Sequence, residues 1–106
     1  MSTPSVAATE ARHYAAAADQ ASPDAKTWIT RGANFVVAVS QASAGATFAR
    51  DNNPDEYMVH LVDAAAVIEA SGQTITAQAD SLTIVPPGAS RVKLSGAGQV
   101  VRVFSS

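Results

Sequence analysis

Pro54-Asp55-Glu56-Tyr57-Met58-Val59-His60-Leu61-Val62-Asp63 alternates in a period of two, and a second β-rich run ending at Gly72 follows it. Such alternation marks a strand whose two faces meet different surroundings. Glu56, Met58, His60 and Val62 fall on one face, which is expected to line the interior of a barrel. Tyr57, Val59 and Leu61 fall on the other, and their bulk points to a second covered face. Farther on, Pro86-Pro87-Gly88-Ala89-Ser90-Arg91 leads into a strand on which Arg91 and Lys93 alternate with Val92 and Leu94.

Outward from these two stretches, the chain breaks into short β-rich runs separated by turn residues, as in a sandwich or barrel. The runs are Asn34 to Ser40, Ala46 to Arg50, Glu56 to Val62, Ala64 to Glu69, Gln73 to Ala77, Ser81 to Val85, Ser90 to Leu94 and Gln99 to Phe104. Eight strands fit a jelly roll. Ser71-Gly72 reads as a tight hairpin because primed turns need a positive φ, which glycine supplies. Asn52-Asn53-Pro54-Asp55, Pro86-Pro87-Gly88 and Ser95-Gly96-Ala97-Gly98 mark other loops. Trp28 and Phe35 are expected in the core.

Residues 1–26 differ in composition, being rich in Ala, Ser and Thr. They read as an N-terminal arm that caps the barrel or crosses to a neighbouring subunit. A short helix is expected from Thr9 through Ala18, anchored by His13 and Tyr14 and ending before Ser22-Pro23-Asp24. Residues 27–106 form the barrel domain.

The 106 residues make one domain, and their 47% hydrophobic content supports a modest core. Seven Lys/Arg against nine Asp/Glu, with no basic run, argue against a nucleic-acid partner. Without cysteine, disulfides and thiolate chemistry are excluded. No apolar run approaches the roughly 20 residues of a membrane span, so a soluble protein is expected. Met1-Ser2-Thr3-Pro4-Ser5 does not begin a secretory signal, which makes the cytoplasm the expected location.

The spacing of these stretches resembles the cupin superfamily over about Gly45 to Phe104. That resemblance implies an all-β jelly-roll barrel, often dimeric. The family's first motif has two histidines one residue apart, then a glutamate and, after six more residues, a glycine; here Glu56 matches the glutamate and Asp63 stands at the glycine. The histidine pair falls on Arg50 and Asn52, or on Ala49 and Asp51 with the longer gap. The second motif ends in proline-x-glycine-x-x-histidine, and Arg91 occupies the histidine's place. A divalent ion wants three or four converging imidazole and carboxylate donors, of which Glu56 alone survives. The metal positions Arg50, Asn52, Glu56 and Arg91 are thus degenerate, and no metal or other cofactor is expected.

The expected ligand-binding residues are Glu56, Met58, His60 and Arg91, with a Glu56–Arg91 ion pair across the lumen as one possible replacement for the metal. The bland alternative is two solvated charges. His60, beside Glu56 or Asp51, is the candidate acid or base of a metal-free lyase or isomerase; a core histidine is the competing reading. Three functions stay open. One is a noncatalytic, self-associating domain, a homodimer by preference, that binds a small organic or anionic ligand. Another is the metal-free half of a two-cupin enzyme, and the third is the His60 enzyme.

Overall fold

The alternation becomes ten β-strands in the computed structural model, which describes residues 18–105. In chain order they are β1 (Gln20–Ala21), β2 (Ala25–Arg31), β3 (Phe35–Ala42), β4 (Thr47–Asn53), β5 (Tyr57–Leu61), β6 (Ala66–Ala70), β7 (Gln73–Ala77), β8 (Ser81–Val85), β9 (Gly88–Leu94) and β10 (Gly98–Ser105). No helix occurs among the described residues. The helix expected from Thr9, with His13 and Tyr14, lies outside them but for Ala18. β1 and the start of β2 fall within residues 18–26, so the sheet begins inside the segment read as an arm.

The strands form a six-stranded sheet in the order β1-β2-β3-β10-β5-β8 and a four-stranded sheet in the order β4-β9-β6-β7, with every paired ladder antiparallel. Tyr57, Val59, Leu61, Val85 and Val100 of the first sheet meet Ala66, Ile68, Ala77, Val92 and Leu94 of the second in one buried cluster. The result is a jelly-roll sandwich. At the Ser71-Gly72 turn both residues have positive φ, 50° and 72°, which is the primed-turn geometry that matches strand twist. The turn fixes the β6–β7 register, Ala70 opposite Gln73 through Ala66 opposite Ala77.

Asp63 ties the loop before β6 to β10: its Oδ1 accepts the backbone N–H of Gln99 at 2.8 Å. A Cβ on Gly98 would stand 2.5 Å from the same oxygen, so glycine is needed where the strand passes under that loop. Trp28 is buried as expected, whereas Phe35 is 45% exposed and is not core. Phe35 starts β3 opposite Ser105, one position from the inward-facing Phe104 of β10, so its ring lies on the outer face of the sheet.

Candidate functional site

The strand β5, between β10 and the edge strand β8, presents its faces in the opposite sense to that expected. Tyr57, Val59 and Leu61 are no more than 2% exposed and form the interior, while Met58 is 37% exposed and points away from it. His60 shares Met58's face, across from Val101 on β10 and Leu82 on β8. Glu56 precedes the strand and is exposed. Strand geometry fixes the period but not the phase, and burial of the bulkier set decides the phase here.

The same one-residue displacement recurs on the facing sheet. On β9, Ser90, Val92 and Leu94 are buried, so Arg91 and Lys93 project outward. Between Arg50 and Asn53 of β4 a β-bulge shifts the register, and Asn53 is the residue that turns inward, 5% exposed, instead of Asn52. Glu56 and Met58 border a depression of about 490 Å³ with Phe35 and Phe104, whereas Arg91 borders another of about 410 Å³ with Asp51 and Glu69. His60 borders neither. The structure therefore does not bring the four expected ligand-binding residues together, and no Glu56–Arg91 ion pair forms across the interior.

What does converge at this end of the sandwich is a polar layer of Arg50, Asn53, Tyr57 and Ser90. The Arg50 guanidinium donates to Asn53 Oδ1 from Nη2 at 2.8 Å and from Nε at 3.2 Å, and Asn53 in turn donates to the Asp55 carbonyl at 2.6 Å. Tyr57 and Ser90 share a buried hydroxyl–hydroxyl bond of 2.6 Å that joins the two sheets. A guanidinium, an amide, a phenol and a hydroxyl do not make a site for a divalent ion, and the cation would repel one. Among the described residues no three His, Cys, Asp or Glu side chains gather in a metal-binding group.

The Tyr57–Ser90 bond yields a stability test. Ser90→Ala should cost about 1–3 kcal/mol by leaving a buried phenol without a partner, and Tyr57→Phe in the same chain should recover part of that loss. Urea unfolding of both single variants and the double variant measures the coupling; strictly additive losses would show that the bond does not form.

Beneath this layer lies the feature with the strongest chemical demand. β10 reads Val100-Val101-Arg102-Val103-Phe104, and alternation turns Val100, Arg102 and Phe104 toward the interior. The Arg102 guanidinium carbon sits 4.5 Å from the Phe48 ring centroid and 5.7 Å from that of Phe104. Arg50 stands 4.6 Å from the Phe104 centroid, and Tyr57 stacks on the same ring at 4.8 Å. Two cations thus flank one aromatic ring. Such contacts each contribute roughly 0.5–2 kcal/mol, less than the several kcal/mol that removing a charge from water costs.

Among the described residues Arg102 has no compensating anion. Its Nε is buried with no hydrogen-bond partner, and no carboxylate among the described residues pairs with it. Burial pushes its pKa below the ordinary guanidinium range; the positive charge of Arg50 acts in the same direction, and Tyr57 opposes them. It remains a cation at neutral pH. A cavity of about 370 Å³ opens beside it, with Gln20, Ser22, Thr27 and Thr47 on its wall. Asp24, also on that wall, makes no ion pair with Arg102. The volume suits a small organic molecule. Arg102 and Phe48 were absent from the expected site, although a single charge amid Val100, Val101 and Val103 was a visible signal.

Known structures place this architecture. Over 93% of this chain and 94% of the other, the fold superposes on the structure of KdgF from a Halomonas species with a TM-score of 0.76 at 12% identity. An RmlC-like cupin from Shewanella frigidimarina gives 0.69 at 13% identity, covering 81% and 79% of the two chains. The protein has the cupin fold. A putative ethanolamine utilization protein Q of Salmonella typhimurium, at 14% identity, gives 0.63 over 76% of this chain and 68% of that one. No family model and no curated protein matches the sequence. Within the cupin fold, the inward positions here carry Asn53, Tyr57, Ser90 and Arg102, with the exposed Arg50 bonded to Asn53.

Proposed function

We propose that the protein is a noncatalytic cupin-like binding domain that self-associates and takes up a small organic anion, without a metal, in the cavity beside Arg102. The observation that carries this reading is the buried Arg102 Nε that lacks a hydrogen-bond partner. A buried donor without an acceptor costs about 1–3 kcal/mol, and more when charged. An incoming carboxylate meets that demand with a charge-assisted, bidentate contact. Phe48 and Phe104 occupy the neighbourhood of the guanidinium's faces, so its N–H edge is the favourable approach for a planar acid. Gln20, Ser22, Thr27 and Thr47 offer hydrogen bonds to the remainder of such a ligand.

The enzyme reading through His60 and Glu56 draws no support from the geometry, because neither side chain faces the interior. Calorimetric titration of the protein with short hydroxy acids and dicarboxylates, each paired with its uncharged amide, tests the binding reading. At least one acid is expected to bind about 30-fold or more tightly than its amide, the equivalent of a buried charge contact. Equal affinity for acid and amide, or no binding by any acid, would overturn it.

A further inference from the structure

The two sheets have four edges, and the chain treats them differently. β1 is only two residues long, and β4 is broken by its bulge and carries Arg50 and Asp51. Short length, bulges and charges are the usual devices that keep an edge strand from pairing with another chain. β8 has none of them. Its five residues, Ser81-Leu82-Thr83-Ile84-Val85, pair with β5 on one side only, and beyond that ladder their backbone makes no hydrogen bond among the described residues. Leu82 and Ile84 are 62% and 51% exposed on the outward face.

We infer that β8 is the self-association surface, pairing antiparallel with β8 of a second copy about a two-fold axis at Thr83. The inference rests on the self-association part of the proposed function and is independent of anion binding. The strand's own pattern selects a second copy as the occupant. In the Thr83-centred register Ser81 faces Val85 of the other chain, Leu82 faces Ile84, and Thr83 faces Thr83. Apolar side chains on the outward face thereby meet apolar side chains, no charge is confronted, and the six-stranded sheet of each copy continues into the other. The pairing uses the same patch on both copies and therefore closes at a dimer. β7, the other uncharged edge, carries a single large apolar residue, Ile75, which is 45% exposed but in register with buried Ile68 and so on the face toward the other sheet, and its outward face shows only threonines.

The absence of cysteine from the whole chain makes the register directly testable. Directly opposed strand residues bring their Cβ atoms within disulfide reach, whereas residues displaced along the strand do not. Thr83→Cys is therefore expected to give a covalent dimer on mild oxidation, and Leu82→Cys, though the more exposed position, is not. Leu82→Lys should raise the dimer dissociation constant about tenfold or more in sedimentation equilibrium. Adding Ile84→Glu to Leu82→Lys places each new cation opposite a new carboxylate and should restore the dimer. Circular dichroism melts of all variants check that the fold persists. A wild-type chain that stays monomeric at high micromolar concentration would remove self-association itself. A dimer unaffected by these variants, or a Leu82→Cys chain that cross-links as fast as Thr83→Cys, would remove β8 as its surface. Open polymers in place of a dimer would refute the two-fold pairing.

Discussion

Replacing Arg102 with methionine is expected to abolish binding of any acid that the wild-type protein takes up, weakening it by roughly 2–5 kcal/mol, about 30-fold or more. The unliganded variant should be as stable as the wild type or more so. Methionine keeps much of the apolar stem and its contact with Phe48 while removing a buried charge, and apolar replacement of buried charges is often neutral or stabilising. Lost contacts of the guanidinium with Phe48 and Phe104 act the other way, by roughly 0.5–2 kcal/mol. Thermal melts with and without the acid read both effects together: the ligand-induced rise in melting temperature should vanish while the unliganded melting temperature holds. A variant that retains the ligand-induced rise would show that Arg102 does not hold the anion. Arg102→Lys should fall between the two, because a lysine keeps charge but loses the planar fork.

The second large effect tests the phase of β5. Leu61→Ala should destabilise the protein by about 2–5 kcal/mol, since Leu61 is fully buried in the cluster shared by both sheets. Met58→Ala and His60→Ala, one to three residues away on the opposite face, should each cost less than about 1 kcal/mol. Urea unfolding of the three variants separates the two phases cleanly. Comparable losses at Leu61 and Met58 would mean that both faces are packed alike, and a larger loss at Met58 would restore the expected inward face.

That phase error explains how the sequence could show so much of the fold and so little of the site. Alternation in Tyr57 to Leu61, the Ser71-Gly72 turn and the punctuation at Pro86-Pro87-Gly88 were sufficient to read a jelly roll, because strand period and turn chemistry are local properties. Which face of a strand points inward is not local. Met58 and Val62 are apolar enough to suit an interior, so alignment of Glu56 and Arg91 with metal-binding positions settled the phase wrongly, and bulk at Tyr57, Val59 and Leu61 settles it in the folded chain. The bulge between Arg50 and Asn53 compounds the displacement, as it inserts a residue that no turn signal announces. β1 and β2 were missed for a different reason: Gln20–Ala21 is too short to show a period, and Ala25–Arg31 straddles the boundary read at residue 26, where its mixed Lys, Thr and Arg residues gave no clear alternation. Arg102 could have been found. A lone guanidinium in an otherwise apolar strand is either an error of burial or a binding group, and its neighbours Val100 and Phe104 already marked the inward face.

Arg50 and Asn53 form one hydrogen-bonded pair and Tyr57 and Ser90 another, while Arg102 is the cation on the cavity proposed for the anion. Arg50 directs both Nε and Nη2 to a single neutral oxygen, so its charge adds to the positive potential. Phe48 on the wall of the cavity beside Arg102 lowers the local dielectric and strengthens the attraction that an anion feels there.

The most direct test is a crystal soaked in a brominated short-chain carboxylic acid, with anomalous data collected at the bromine edge. The bromine peak is expected in the cavity beside Phe48, with carboxylate density coplanar with the Arg102 guanidinium and within hydrogen-bond distance of its Nε. Bromine peaks confined to the outer surface, or a transition-metal peak within the polar layer of Arg50 and Asn53, would contradict an anion-binding interior.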